Sequence, residues 1–103
     1  MLPLTTPEKF QVLMKSKTTF LVWYSAAWCN PCQKMEKPRL EEAAAGLPFY
    51  YCDEVVNPDT IVKAGVRQFP TFVFYVGGVE VARRTHADTT KICQWIRKTC
   101  TYK

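Results

Sequence analysis

One stretch constrains this chain more than any other: Ala27-Trp28-Cys29-Asn30-Pro31-Cys32. Two thiols sit three positions apart, with a tryptophan before them and a proline between. The preceding run, Thr18 to Tyr24, is β-branched, aromatic and aliphatic, and nearly continuous in apolar character from Phe20. Such a run suits a central strand covered on both faces. The following run, Gln33 to Ala45, is rich in good helix formers. The cysteines therefore fall where a buried strand gives way to a helix.

That setting decides what the sulfurs can do. At a helix N-terminus, free N–H groups and the positive dipole end favour a Cys29 thiolate. A thiolate is the nucleophile of disulfide exchange, so Cys29 is the expected attacker. Cys32, one turn deeper, is placed to resolve the mixed disulfide and close a Cys29–Cys32 disulfide. Pro31 removes an N–H that would lack a partner in the first turn and helps fix the loop. Trp28 is expected as a partly exposed apolar wall beside the nucleophile. A zinc site needs a second closely spaced ligand pair. Cys52, His86, Cys93 and Cys100 offer none, so no metal is expected.

At 103 residues, 48% hydrophobic and 22% charged, the chain has the composition of a single globular domain, residues 1–103. Fourteen basic against nine acidic residues give a net charge of +5. The basic residues are scattered, and only Arg83-Arg84 is a doublet. This points to a solvated surface with a mild preference for acidic partners and to no nucleic-acid site. No stretch approaches the apolar length of a membrane span, and Met1 to Phe10 is not a secretory signal. Five cysteines, an odd number with one close pair, argue for a reducing, cytoplasmic setting over a secreted disulfide scaffold.

In chain order, Met1 to Leu4 reads as a short edge strand. Thr5 or Thr6 caps a helix through Phe10, Leu13 and Met14 to about Ser16, with Glu8 in a capping box with Thr5. The helix after the cysteines runs to about Ala45, kinked at Pro38 and stopped at Gly46. A strand covers Phe49 to Val55. Asn57-Pro58 starts a short helix that Gly65 ends. Thr71 to Val76 and Val79 to Arg84 form a hairpin around Gly77-Gly78. Asp88 or Thr89 caps the last helix, which turns Ile92, Trp95 and Ile96 toward the sheet. The order is β-α-β-α-β-α-β-β-α: an α/β fold with a central mixed sheet, helices on both faces, and parallel crossovers between the early strands. Cys52 reads as a small core residue. Cys93 and Cys100 lie too far apart along the last helix to bridge, and Cys100 near the terminus is expected to be exposed and open to oxidative dimer formation in an otherwise monomeric protein.

This order resembles the thioredoxin family when taken with Trp28-Cys29-Asn30-Pro31-Cys32, Asn57-Pro58, Gly65, Phe69-Pro70-Thr71 and Gly77-Gly78. The resemblance spans essentially the whole chain. It implies a thioredoxin fold and a protein-disulfide reductase that acts in electron transport and cell redox homeostasis. No bound cofactor is implied. A flavoprotein reductase drawing on NADPH would recharge the dithiol. It assigns Cys29 as attacking and Cys32 as resolving thiol. It puts Pro70 after a cis peptide beside the sulfurs, with backbone groups near Phe69 pairing with an extended substrate. Within the same chemistry, an oxidase or isomerase of an oxidising compartment is the alternative, with a glutathione-dependent relative a weaker fit. A thioredoxin-fold binding module is the alternative from another class.

The sequence also departs from the family pattern. Asn30 stands where glycine is usual, and residues between the cysteines tune how readily the disulfide is reduced. Trp23 stands at the position of a buried aspartate and Tyr51 at that of its lysine neighbour. Both members of a polar pair are thus exchanged for aromatics, leaving water or the Tyr51 hydroxyl to relay the Cys32 proton. Gln33 to Pro38 carries one residue more before the proline than the family pattern. His86 replaces a glycine near the active site, either as an ordinary loop side chain or as one overhanging the sulfurs, where it would narrow substrate choice and make it pH-sensitive.

Overall fold

The computed structural model describes residues 1–100. Its elements are β1 (Leu2–Pro3), α1 (Pro7–Lys15), β2 (Phe20–Ser25), α2 (Asn30–Gln33), α3 (Lys37–Ala44), β3 (Phe49–Asp53), α4 (Pro58–Lys63), β4 (Thr71–Val76), β5 (Val79–Thr85) and α5 (Thr89–Thr99). The sheet order is β1-β3-β2-β4-β5. β3 runs parallel to β1 and β2, while β4 is antiparallel to β2 and β5 to β4.

All six residues of β2 are buried. Alternation sends Phe20, Val22 and Tyr24 to one face, where they pack with Phe10 and Leu13 of α1 and Ile61 of α4. Leu21 and Trp23 go to the other, against Leu40, Ala43 and Ala44 of α3 and Ile92, Cys93 and Ile96 of α5. Burial on both faces is why this strand reads as an unbroken apolar run.

Capping residues set most helix starts. Thr6 caps α1 by accepting from Lys9 N, Asn57 caps α4 by accepting from Thr60 N, and Asp88 caps α5 by accepting from Lys91 N. With Thr6 as the cap, Glu8 is the second helical residue, so the capping box expected with Thr5 does not form. Gly77 and Gly78 turn the β4–β5 hairpin at φ +62° and +81°. A Cβ on Gly78 would also lie 2.7 Å from the Met14 carbonyl oxygen.

Three further expectations need correcting. The helix after the cysteines does not kink at Pro38; it stops at Gln33 and restarts at Lys37, with Pro38 in the first turn of α3, where its missing N–H is harmless. The Glu36 N–H at the break donates to Thr89 Oγ1 of α5 at 3.2 Å, and Met35 is buried. The extra residue before the proline is taken up in this break. Second, the α4 crossover is not parallel. α4 has six residues, and the chain reverses through the Phe69-Pro70 turn before β4 pairs antiparallel with β2. Third, Cys100 is half-buried against the α3–α5 side of the core, and burial pushes its thiol up to about 12. It is not the exposed thiol its position near the terminus implied.

β5 carries an extra residue. Tyr75 faces Glu80 and Phe74 faces Ala82, which leaves Val81 as a bulge. The bulge brings Glu80 and Arg83 onto one face, where the Arg83 Nε and Nη2 atoms donate to the Glu80 carboxylate at 2.8 and 2.7 Å. Arg83 also donates to the carbonyls of Ala64 and Gly65 and so covers the C-terminal end of α4.

Candidate functional site

Both cysteines sit at the C-terminal end of β2. Cys29 is the N-cap of α2 and is joined to Cys32 as a disulfide, with Cα atoms 5.3 Å apart. The Cys32 N–H points at Cys29 Sγ from 3.4 Å. Because α2 has only four residues, this local amide, rather than the dipole of a long helix, is what favours negative charge on that sulfur. Cys29 keeps 6% exposure against 1% for Cys32, so an incoming sulfur meets Cys29 first. Beneath them, the Ala26 carbonyl accepts from Cys29 N at 3.0 Å and from Gln33 Nε2 at 3.0 Å, which fixes the loop at both ends.

The Phe69–Pro70 peptide is cis, as expected of Pro70, and the Phe69 carbonyl oxygen lies 3.8 Å from Cys29 Sγ. Thr71 Oγ1 is within 2.7 Å of the Gln68 carbonyl oxygen and 2.8 Å of Thr85 Oγ1. A carbonyl can only accept, so Thr71 donates to Gln68 and Thr85 donates to Thr71. This hydroxyl pair ties the turn to β5. Trp28 is 64% exposed and stands edge-on to Phe69 at 5.8 Å. Its Nε1 donates to Glu54 Oε1 at 3.1 Å, a partner that nothing in the local sequence around Trp28 identifies. Asn30 and Pro31 are exposed at the rim.

Trp23 and Tyr51 are register partners of β2 and β3, with rings edge-to-face at 5.1 Å. The Lys37 ammonium lies 4.8 Å from the Tyr51 ring centroid and 6.0 Å from that of Trp23. A cation thus returns to these aromatics from α3, on a residue that the sequence alone did not single out. Trp23 Nε1 is buried without a partner among the described residues. His86 stands in the turn before α5, its Nδ1 accepting the Asp88 N–H at 3.0 Å. That nitrogen serves the turn, and no hydrogen bond among the described residues joins His86 to the sulfurs. Of the residues singled out, the structure therefore gathers Trp28, Cys29, Cys32, Phe69, Pro70 and Thr71, and it leaves His86 outside the hydrogen-bonded set.

Away from this site, Cys52 and Cys93 are free and buried. Burial pushes the Cys52 thiol up to about 12. The Cys93 thiol, also raised by burial, donates to the Arg39 carbonyl at 3.5 Å. Among the described residues no group of three or more His, Cys, Asp or Glu could hold a metal, and no helix is long and apolar enough to cross a membrane.

A mixed sheet that presents a strand-to-helix dithiol beside a cis-proline turn defines a thiol–disulfide oxidoreductase. The thioredoxin family model matches residues 2–98. Thioredoxin-2 of Saccharomyces cerevisiae is 39% identical over 79 residues, covering 74% of this chain and 75% of that protein. The mitochondrial thioredoxin-3 of the same yeast is 30% identical over 97 residues, covering 91% and 76%. Among solved structures, Fasciola hepatica thioredoxin superposes with a TM-score of 0.81 at 30% identity, covering 95% of this chain and 98% of that one. The chain belongs to the thioredoxin family, whose members are protein-disulfide oxidoreductases acting on disulfide-bearing proteins.

Proposed function

We propose that the chain works as a reductase of protein disulfides, with Cys29 as the attacking thiol and Cys32 as the resolving one. The observation that carries this is the Cys29 sulfur: more exposed than Cys32, facing the Cys32 N–H at 3.4 Å and the Phe69 carbonyl at 3.8 Å. In the dithiol form, the Cys29 thiolate attacks one substrate sulfur, and the other substrate sulfur leaves as a thiolate. Cys32 then loses its proton to solvent, relayed by water or the Tyr51 hydroxyl, since Trp23 brings no carboxylate. It attacks Cys29 Sγ, and the second substrate thiol departs. Two electrons have passed to the substrate, and the Cys29–Cys32 disulfide remains. Phe69 and Pro70 offer main-chain atoms to an extended substrate, with Trp28 as an apolar wall.

The reading extends to an NADPH-fed flavoprotein reductase that returns two electrons, to electron transport in a reducing cytoplasm, and to a monomer. The three unpaired cysteines, two buried and one half-buried, support that compartment and that state.

The test is reduction of insulin disulfides, with electrons supplied by NADPH and a flavoprotein reductase in one arm and by glutathione in the other. Wild type is expected to turn over in the first arm, and Cys29→Ser is expected to abolish turnover. Turnover supported by glutathione alone, or retained in Cys29→Ser, would contradict the assignment.

A further inference from the structure

Beside the Phe69-Pro70 turn lies a recess of about 280 Å³, lined by Gly65, Arg67, Gln68, Thr71, Arg83 and Thr85. Its two cations are not equivalent. Arg83 spends its guanidinium donors on Glu80 and on the Ala64 and Gly65 carbonyls, so it is a neutralised wall. Arg67 is exposed and makes no hydrogen bond or ion pair with any described residue. Its planar fork of donors suits a carboxylate. The Thr71 and Thr85 hydroxyls, already paired with each other and with Gln68, hold the floor of the recess in place.

We propose that this recess is a subsite for an aspartate or glutamate side chain of the disulfide-bearing protein, with Arg67 as its counter-charge. The proposal rests on the reductase reading and specifies which substrates it favours. Arg67 is two residues from Phe69, whose carbonyl faces Cys29 Sγ. An extended chain advances about 3.3 Å per residue, so an acid two or three positions from the substrate cysteine extends about 7–10 Å beyond it. The net charge of +5 adds long-range attraction of the same sign.

The experiment uses disulfide-linked peptides that differ only at that position, with glutamate, glutamine or lysine. For wild type, kcat/KM is expected to be about threefold to fivefold higher for glutamate than for glutamine, the scale of a partly exposed ion pair, and to converge as salt rises. Arg67→Glu should reverse the order and favour the lysine peptide, a reversal that general damage to the fold would not produce. The same order of three in wild type and Arg67→Glu, or no order in wild type, would overturn the subsite. Serine versions of the peptides, titrated against the Gln68 and Thr71 amide resonances, separate this from the reductase reading. Glutamate-selective shifts without turnover of any cysteine peptide would keep the subsite and remove the reductase. Turnover without charge-selective shifts would remove the subsite alone.

Discussion

Replacing Asn57 with alanine removes two hydrogen bonds that hold separate parts of the chain. Its Oδ1 accepts from Thr60 N at 3.4 Å and so caps α4. Its Nδ2 donates to the Leu4 carbonyl at 3.2 Å, across 53 positions of sequence. Asn57 and Leu4 are each 1% exposed, so water cannot replace either bond without opening the structure. Loss of the cap costs about 1 kcal/mol. A buried carbonyl left without a donor costs about 1–3 kcal/mol. The sum is about 2–4 kcal/mol. For a chain of 103 residues, an unfolding entropy of about 2.1 cal/mol/K per residue turns this into a fall in Tm of about 10–20 °C. Asn57→Ser keeps an oxygen for Thr60 N but has no reach to Leu4, so it should recover about 1 kcal/mol of the loss. Urea titrations of wild type and both variants measure these differences. Equal stability of the two variants, both within about 0.5 kcal/mol of wild type, would refute the reasoning.

The remaining predictions concern the buried hydroxyls, alkaline pH, the indole and the spare thiols. The Tyr24 and Tyr75 hydroxyls pair at 2.7 Å in the core; Tyr75→Phe should cost about 1–3 kcal/mol by orphaning Tyr24, and adding Tyr24→Phe should cost less than a second equal step in a double-mutant cycle. Burial raises Tyr75 and Cys52 to about 12 and moves Tyr24 upward as well. The folded state therefore keeps protons that the unfolded chain releases above about pH 9–10, and stability is full below that pH and falls from there to pH 12. Each such group contributes a slope of up to about 1.4 kcal/mol per pH unit, and Cys52→Ala should flatten the decline read by urea titration at stepped pH. Glu54→Ala frees the Trp28 indole from its 3.1 Å partner and should raise the KM for insulin a fewfold with little change in Tm, whereas Glu54→Gln retains an acceptor and should stay near wild type. In the reduced protein at pH 8, maleimide should modify Cys29 well before Cys52, Cys93 or Cys100, read by mass spectrometry of quenched samples; early labelling of Cys100 would contradict the burial described for it.

What the sequence disclosed follows the range over which each feature is decided. Asn57-Pro58, Asp88 and Gly77-Gly78 announce caps and a turn because capping and positive φ are settled within a few residues. The Cys29 dithiol and the Phe69-Pro70-Thr71 turn stand out through residue types that few other settings require. The break after Gln33 was hidden because its N–H partner, Thr89, lies 53 positions from Glu36. Lys37 gave no sign of its place over Tyr51 and Trp23, since helical periodicity continued through it and only the break turns it there. Thr5 and Thr6 are equivalent as written, and the choice of Thr6 shifted Glu8 out of the capping-box position. The burial of Cys100 depends on the α3–α5 side of the core, which its position near the end of the chain does not convey.

The extra residue at Val81 acts as a phase correction between the Gly77-Gly78 turn and the end of β5. Were Val81 instead drawn into the ladder opposite Tyr75, Glu80 would slip by one position to face Val76, onto the other side of the sheet. Glu80 would then point toward the α5 side, Arg83 would stand without its carboxylate, and the last carbonyls of α4 would be gripped by an unbalanced cation. A one-residue slip of register in an exposed outer strand, far from either sulfur in sequence, would thereby unsettle the segment that leads into Phe69 and Pro70.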